Sequence, residues 1–214
     1  MFSPFRLITL GLLAFGVYMG FFAAPAGKPE PTSFDPALVA EYEVGLWQAA
    51  RVREEVGSFT NAVLLQRELN RYTWFRALQT GWPASRATST FYHLTHRYER
   101  VLPDLEEIAA VEKVWRNGNF DTAVVARTQL NWLVTGRMPN LGDSNEVASM
   151  MAEEYGLRYG LRPDQMFSAA ALRAEAYKMS ILPSVDPDWP TITKLLADSY
   201  SALRTALEDS RRSR

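Results

Sequence analysis

The only two imidazoles in the chain lie three residues apart: His93 and His96, with Glu99 following at the same interval, in FYHLTHRYER. Residues three apart on a helix are neighbours, so this spacing can bring two ring nitrogens and a carboxylate edge onto one cation. With no third histidine, any further ligands would have to be distant carboxylates. The plainer expectation is a half-exposed helix face on which the histidines pair with Glu99 or a tyrosine, with no metal and no cofactor held. A haem ligated by both rings is excluded, because it needs them on opposite sides of the porphyrin. Paired carboxylates occur at Glu54-Glu55, Glu106-Glu107 and Glu153-Glu154. Helical neighbours point about 100° apart, so each pair splits between two faces. A glycosidase-like site would need carboxylates from different helices, and the expectation is solvated charge.

The remaining catalytic vocabulary is missing. The sequence contains no G-x-S-x-G, P-loop, G-x-G-x-x-G or H-E-x-x-H segment. Zero cysteines exclude disulfides, thiol nucleophiles, thiolate zinc sites and iron–sulfur ligation. The formal net charge of −1 argues against a general nucleic-acid binder. No enzymatic activity is expected.

The elements that must position these residues begin with an uncharged apolar run, LITLGLLAFGVYMGFFAAPA, at residues 7–26. As a helix it covers about 30 Å, the thickness of a bilayer's hydrocarbon core. Residues 1–26 are thus expected to be a single transmembrane anchor. Arg6 on one side, against Lys28 and Glu30 on the other, puts the N-terminus in the cytoplasm and the rest in the periplasm. The alternative is a signal peptide cleaved near Ala26, where Ala24-Pro25-Ala26 supplies small residues. Proline-rich residues 27–35 form a stiff spacer.

Residues 36–209 are expected to form one all-α domain of about eight antiparallel helices, with 210–214 a disordered tail. Proline and glycine punctuation places the helices at 35–57, 58–80, 82–102, 103–117, 120–135, 144–159, 163–182 and 190–208. Asp35-Pro36 opens the first, with Leu38, Tyr42, Leu46, Ala49, Val52 and Val56 as its apolar stripe. Gly57 and Gly81 act as stops. In the second, Phe59, Val63, Leu69, Tyr72 and Phe75 face inward, and Arg67, Arg71 and Arg76 face water. VEKVWRNGNFDTAVVARTQL reads as a helical hairpin turning at Asn117-Gly118-Asn119. It is similar to a tetratricopeptide turn, but no second copy occurs at that period. Asp143 and Glu146 have capping-box spacing.

ARTQLNWLVTGRMP, DSNEVASMMAEEYGLRYG, LRAEAYKMS and LLADSYSALRTAL resemble parts of a family of small, mostly proteobacterial proteins with an N-terminal anchor and a helical domain. The resemblance covers the C-terminal half. It implies single-pass topology and an all-α fold and carries over no catalytic residue.

Six tryptophans are many for this length. Most belong to helix packing, but Trp74 and Trp82, close to Arg67, Arg71 and Arg76, have the composition of a partner surface. Arg51, Arg53 and Arg86 extend the local basic excess, which would also suit anionic lipid headgroups. The reading adopted is a membrane-anchored protein-interaction component of the bacterial envelope: accessory, assembly or scaffold. Its expected partners are envelope proteins and the bilayer, not nucleic acid. Its rivals are a metal- or carboxylate-dependent enzyme built on His93, His96 and Glu99, and a helical binder of a small apolar ligand or lipid.

Overall fold

The computed structural model describes residues 4–22, 30, 32–138, 143–181 and 186–213. Among these residues the chain is all-helical, without a strand. Its helices are α1 (Pro4–Phe21), α2 (Pro36–Arg51), α3 (Glu55–Asn70), α4 (Trp74–His93), α5 (Leu102–Arg116), α6 (Thr122–Arg137), α7 (Ser144–Tyr159), α8 (Pro163–Ile181) and α9 (Trp189–Arg212). A 3-10 turn at Tyr98–Val101 leads into α5. Each helix from α2 to α9 packs against the next, and α9 returns to α2. The eight therefore close into a ring, while α1 stands outside and touches α4.

Several helix starts follow from their sequence signals. Asp35 accepts the Ala37 N–H at 2.9 Å, with Pro36 in the first turn of α2. Asp121 and Asp143 cap α6 and α7 in the same way. Such caps satisfy N–H groups that the helix itself leaves free. The expected hairpin is present: Asn117 turns left-handed and Gly118 donates to the Lys113 carbonyl at 2.9 Å.

Between residues 51 and 102 the boundaries differ from expectation. α2 ends at Arg51, and Gly57 lies inside α3. The break expected at Gly81 falls instead at Arg71, which adopts φ 52°. There Tyr72 donates to the Arg67 carbonyl, and burial of the Tyr72 ring at 0% exposure pins the turn. Gly81 and Pro83 both lie inside α4. The glycine is needed for proximity: a Cβ there would come within 2.4 Å of the Val63 side chain and 2.9 Å of the Val63 backbone. The α2 stripe is also rotated, with Val39, Glu43, Leu46, Trp47 and Ala50 buried and Val52 and Val56 exposed. At the other end, α9 continues through Arg212, where Arg211 meets Glu30 at 3.0 Å.

The N-terminal run forms an 18-residue helix. Among the described residues no helix is long and apolar enough to cross a membrane. The Ala24-Pro25-Ala26 segment, linker residues 27–29 and 31, residues 139–142 of the GRMPNLGD loop and residues 182–185 lie outside the described residues.

The close α3–α4 approach gives a paired test in urea unfolding. Gly81→Ala should lower stability by about 1–3 kcal/mol, because backbone must move. At Gly57 the nearest atoms belong to the flexible Glu54 carboxylate, so Gly57→Ala should stay within about 1 kcal/mol of the parent.

Candidate functional site

The His93, His96 and Glu99 constellation does not assemble on one helix. α4 ends at His93, Leu94 is extended, and Arg97 turns left-handed at φ 57°. Glu99 sits in the 3-10 turn beyond. The termination is tertiary: Arg137 of α6 donates to the carbonyls of Phe91, which also accepts from the Leu94 N–H at 3.3 Å, and of Tyr92, with its guanidinium against the Phe91 and Tyr98 rings. A cation at a helix C-terminus satisfies orphan carbonyls and opposes the helix dipole. His93 Nε2–H donates to the Ala50 carbonyl at 2.9 Å, and its Nδ1 accepts from Arg53 Nε at 3.4 Å. That ring therefore ties α4 to the end of α2. His96 is exposed, with Nδ1 3.0 Å from the Thr95 hydroxyl. Among the described residues no group of three or more His, Cys, Asp or Glu side chains is placed to hold a metal ion.

The α3–α4 surface does gather the aromatic and basic residues singled out in the sequence. Arg67 lies over the Trp74 ring at 4.2 Å, and Arg76 over Trp115 at 4.8 Å. Arg71 pairs with Glu68 at 3.0 Å. Arg51 donates to the Ser180 carbonyl, and Arg86 pairs with Asp104. The local basic excess is thus engaged in contacts within the protein, and Trp74 is only half-buried beneath its guanidinium. Trp82 stands 59% exposed, edge-on to Phe59. Phe75 is also exposed and stacks on Phe22 at 5.7 Å. An aromatic surface therefore runs from the end of α1 onto α4.

The interior of the ring holds charges, of which only Glu154 figures in the sequence expectations, and there as solvated. Glu43 of α2 accepts from Arg173 of α8 and, at 2.6 Å, from the Tyr200 hydroxyl of α9. Arg173 also donates to Tyr155 at 2.8 Å. Arg158 joins Glu154, Glu112 and Gln129, and Trp132 Nε1 donates to Glu154 at 2.6 Å. Arg116 lies 3.3 Å from Glu112 and donates to Asn70. Three carboxylates and three guanidiniums, from α2, α5, α7 and α8, thus compensate one another. Burial alone would raise the Glu112 carboxyl, but Arg158 and Arg116 outweigh it and hold the group below the ordinary carboxylate range. The Tyr155 hydroxyl is pushed up to about 12 by burial, despite Arg173.

A signal for part of this network existed. Glu43 falls four residues after Val39 and four before Trp47, in line with the buried stripe. In Glu153-Glu154 the two carboxylates split between faces, as their adjacency requires, and Glu154 is the buried one. Arg158, four residues on, completes an i,i+4 pair with it.

Two outcomes follow. His93→Gln with His96→Gln should reduce stability by about 0–2 kcal/mol, the scale of lost hydrogen bonds, without changing the metal content of the purified protein. A loss of stoichiometric zinc or manganese would restore the metal reading. Glu112 titrates lower folded than unfolded, so its contribution is complete above the unfolded value of about 4.3 and is lost as pH falls through the folded one. Stability should therefore hold from neutrality to about pH 5 and fall below it. Glu112→Gln should be less stable at pH 7 and show a shallower acid slope in denaturant titrations.

No protein-family model, no curated protein and no solved structure matches the chain.

Proposed function

We propose that this chain is a membrane-tethered helical accessory protein of the bacterial cell envelope, working by binding other proteins rather than by catalysis. The observation that carries the reading is α1. Ile8, Leu10, Leu12, Leu13, Phe15 and Val17 are all more than half exposed, so the helix presents apolar surface on every side. A helix of that kind needs an apolar surrounding, and the ring does not supply it. The apolar run in the sequence continues to residue 26, close to the length of a bilayer core. Phe75 and Trp82 extend the apolar surface onto the body, where a partner protein beside the membrane would meet it. The ring behind them is closed and internally charge-balanced, a rigid support for a contact face. The orientation with the body in the periplasm rests on the charges flanking the apolar run.

The full chain should sediment with membranes and resist a carbonate wash. Leu10→Arg with Leu13→Arg should move it to the soluble fraction, each arginine costing about 2.5–3.5 kcal/mol in a bilayer. Phe75→Ala with Trp82→Ala should leave the helical spectrum intact and cut partner recovery in a mild-detergent pull-down by about tenfold or more. A parent chain recovered in the soluble fraction would overturn the tether. Undiminished recovery by the double variant would overturn the contact face.

A further inference from the structure

At the centre of the ring lies a cavity of about 150 Å³, lined by residues from all eight helices α2 to α9. Three features define what it accepts. Its walls are aromatic: Trp132 and Trp47 stand edge-on to Tyr177 at 5.1 and 6.1 Å, and Phe91 lines the same space. Its volume matches an interior void that holds one benzene-sized ring. Among the described residues that line it, the one fully buried donor without a partner is Arg173 Nε, while the other two guanidinium nitrogens bond Glu43 and Tyr155. A buried donor left unpaired is costly, and an acceptor in the cavity relieves it.

Charge decides between ligand classes. Glu43, Glu112 and Glu154 line this space with Arg158 and Arg173, and Arg116, from behind the lining, pairs with Glu112 to complete the balance. An anion or a cation would add a charge without a counterpart in a desolvated site. The hydroxyls of Tyr92 and Tyr155, each pushed up to about 12 by burial, stay protonated near neutrality and cannot neutralise a cation.

We propose that the ring is a binding site for a neutral monocyclic aromatic compound carrying one hydrogen-bond acceptor. Its ring lies among Trp47, Trp132 and Tyr177, and its acceptor takes the Arg173 Nε–H. The site is independent of the membrane tether and the α4 contact face.

The test uses the purified full chain and fluorine NMR, with three probes of one shape: 4-fluorobenzonitrile, fluorobenzene and 4-fluorobenzoate. The first is neutral with an acceptor, the second lacks the acceptor, and the third is charged. Saturable binding is expected for 4-fluorobenzonitrile, and binding about tenfold or more weaker for fluorobenzene, the worth of one hydrogen bond from a charged donor. Binding of 4-fluorobenzoate should be at least about tenfold weaker still than that of the nitrile. Ala87 lines the cavity and is buried, so Ala87→Leu fills the space without touching an ion pair. In the same detergent it should abolish the saturable signal and leave only micelle partitioning. The proposal is overturned if no probe saturates, if the benzoate binds as well as the nitrile, or if a folded Ala87→Leu variant binds undiminished. Should that variant fail to fold, the ranking of the three probes on the parent decides alone.

Discussion

Glu43 is 2% exposed on α2, and its two carboxylate oxygens serve different helices. One takes Arg173 of α8, the other the hydroxyl of Tyr200 on α9. Closure of the ring rests on this arrangement, because these contacts join the first helix of the body to its last two. Apolar packing between α2 and α9 tolerates a small slide, whereas a buried carboxylate with two placed donors does not. Removing either donor would leave the charge desolvated and under-compensated, which costs more than an apolar contact of equal size. The second group of charges, around Arg158, imposes the same condition on α5, α6 and α7.

Legibility in the sequence followed the range of the interaction that sets each feature. Caps at Asp35 and Asp143 are contacts within three residues, and they could be read directly, whereas Asp121, equally local, fell inside a helix expected from Phe120. Arg53, Arg71 and Arg97 occupy left-handed turns without being turn formers. At Arg71 the reason is Tyr72, which gains more by burial than the backbone loses. Gly81 gave the opposite error. Glycine serves both as a stop and as a place where two helices touch, and only Val63 across the gap tells which. The end of α4 at His93 depends on Arg137, more than 40 residues away, which no local pattern announces.

The candidate surface was legible as composition and much less so as geometry. Trp74, Trp82 and the nearby arginines do lie on neighbouring parts of α3 and α4. Trp82 stayed at the surface, but Arg67 and Arg76 stack on tryptophans of the body itself. Arginine and tryptophan attract one another whether the contact is internal or with a partner, so their abundance alone does not distinguish the two. The interior charges went unread, and Glu154 was misplaced, for a related reason. A glutamate on a helix is usually solvated, and only its alignment with buried neighbours, as for Glu43 between Val39 and Trp47, marks it as an exception.

Ring closure through Glu43 also dictates a schedule. Its second donor, Tyr200, lies 157 residues further along the chain. At synthesis rates of about 5–20 residues per second, that separation is roughly 8–30 s during which α2 exists without its final partner. Local hairpins such as α5–α6 can form as they emerge, but the body cannot close while α9 is still inside the ribosome. A chain that stops short of α9 leaves an open arc with a carboxylate on its inner wall, a shape that quality-control proteases can recognise.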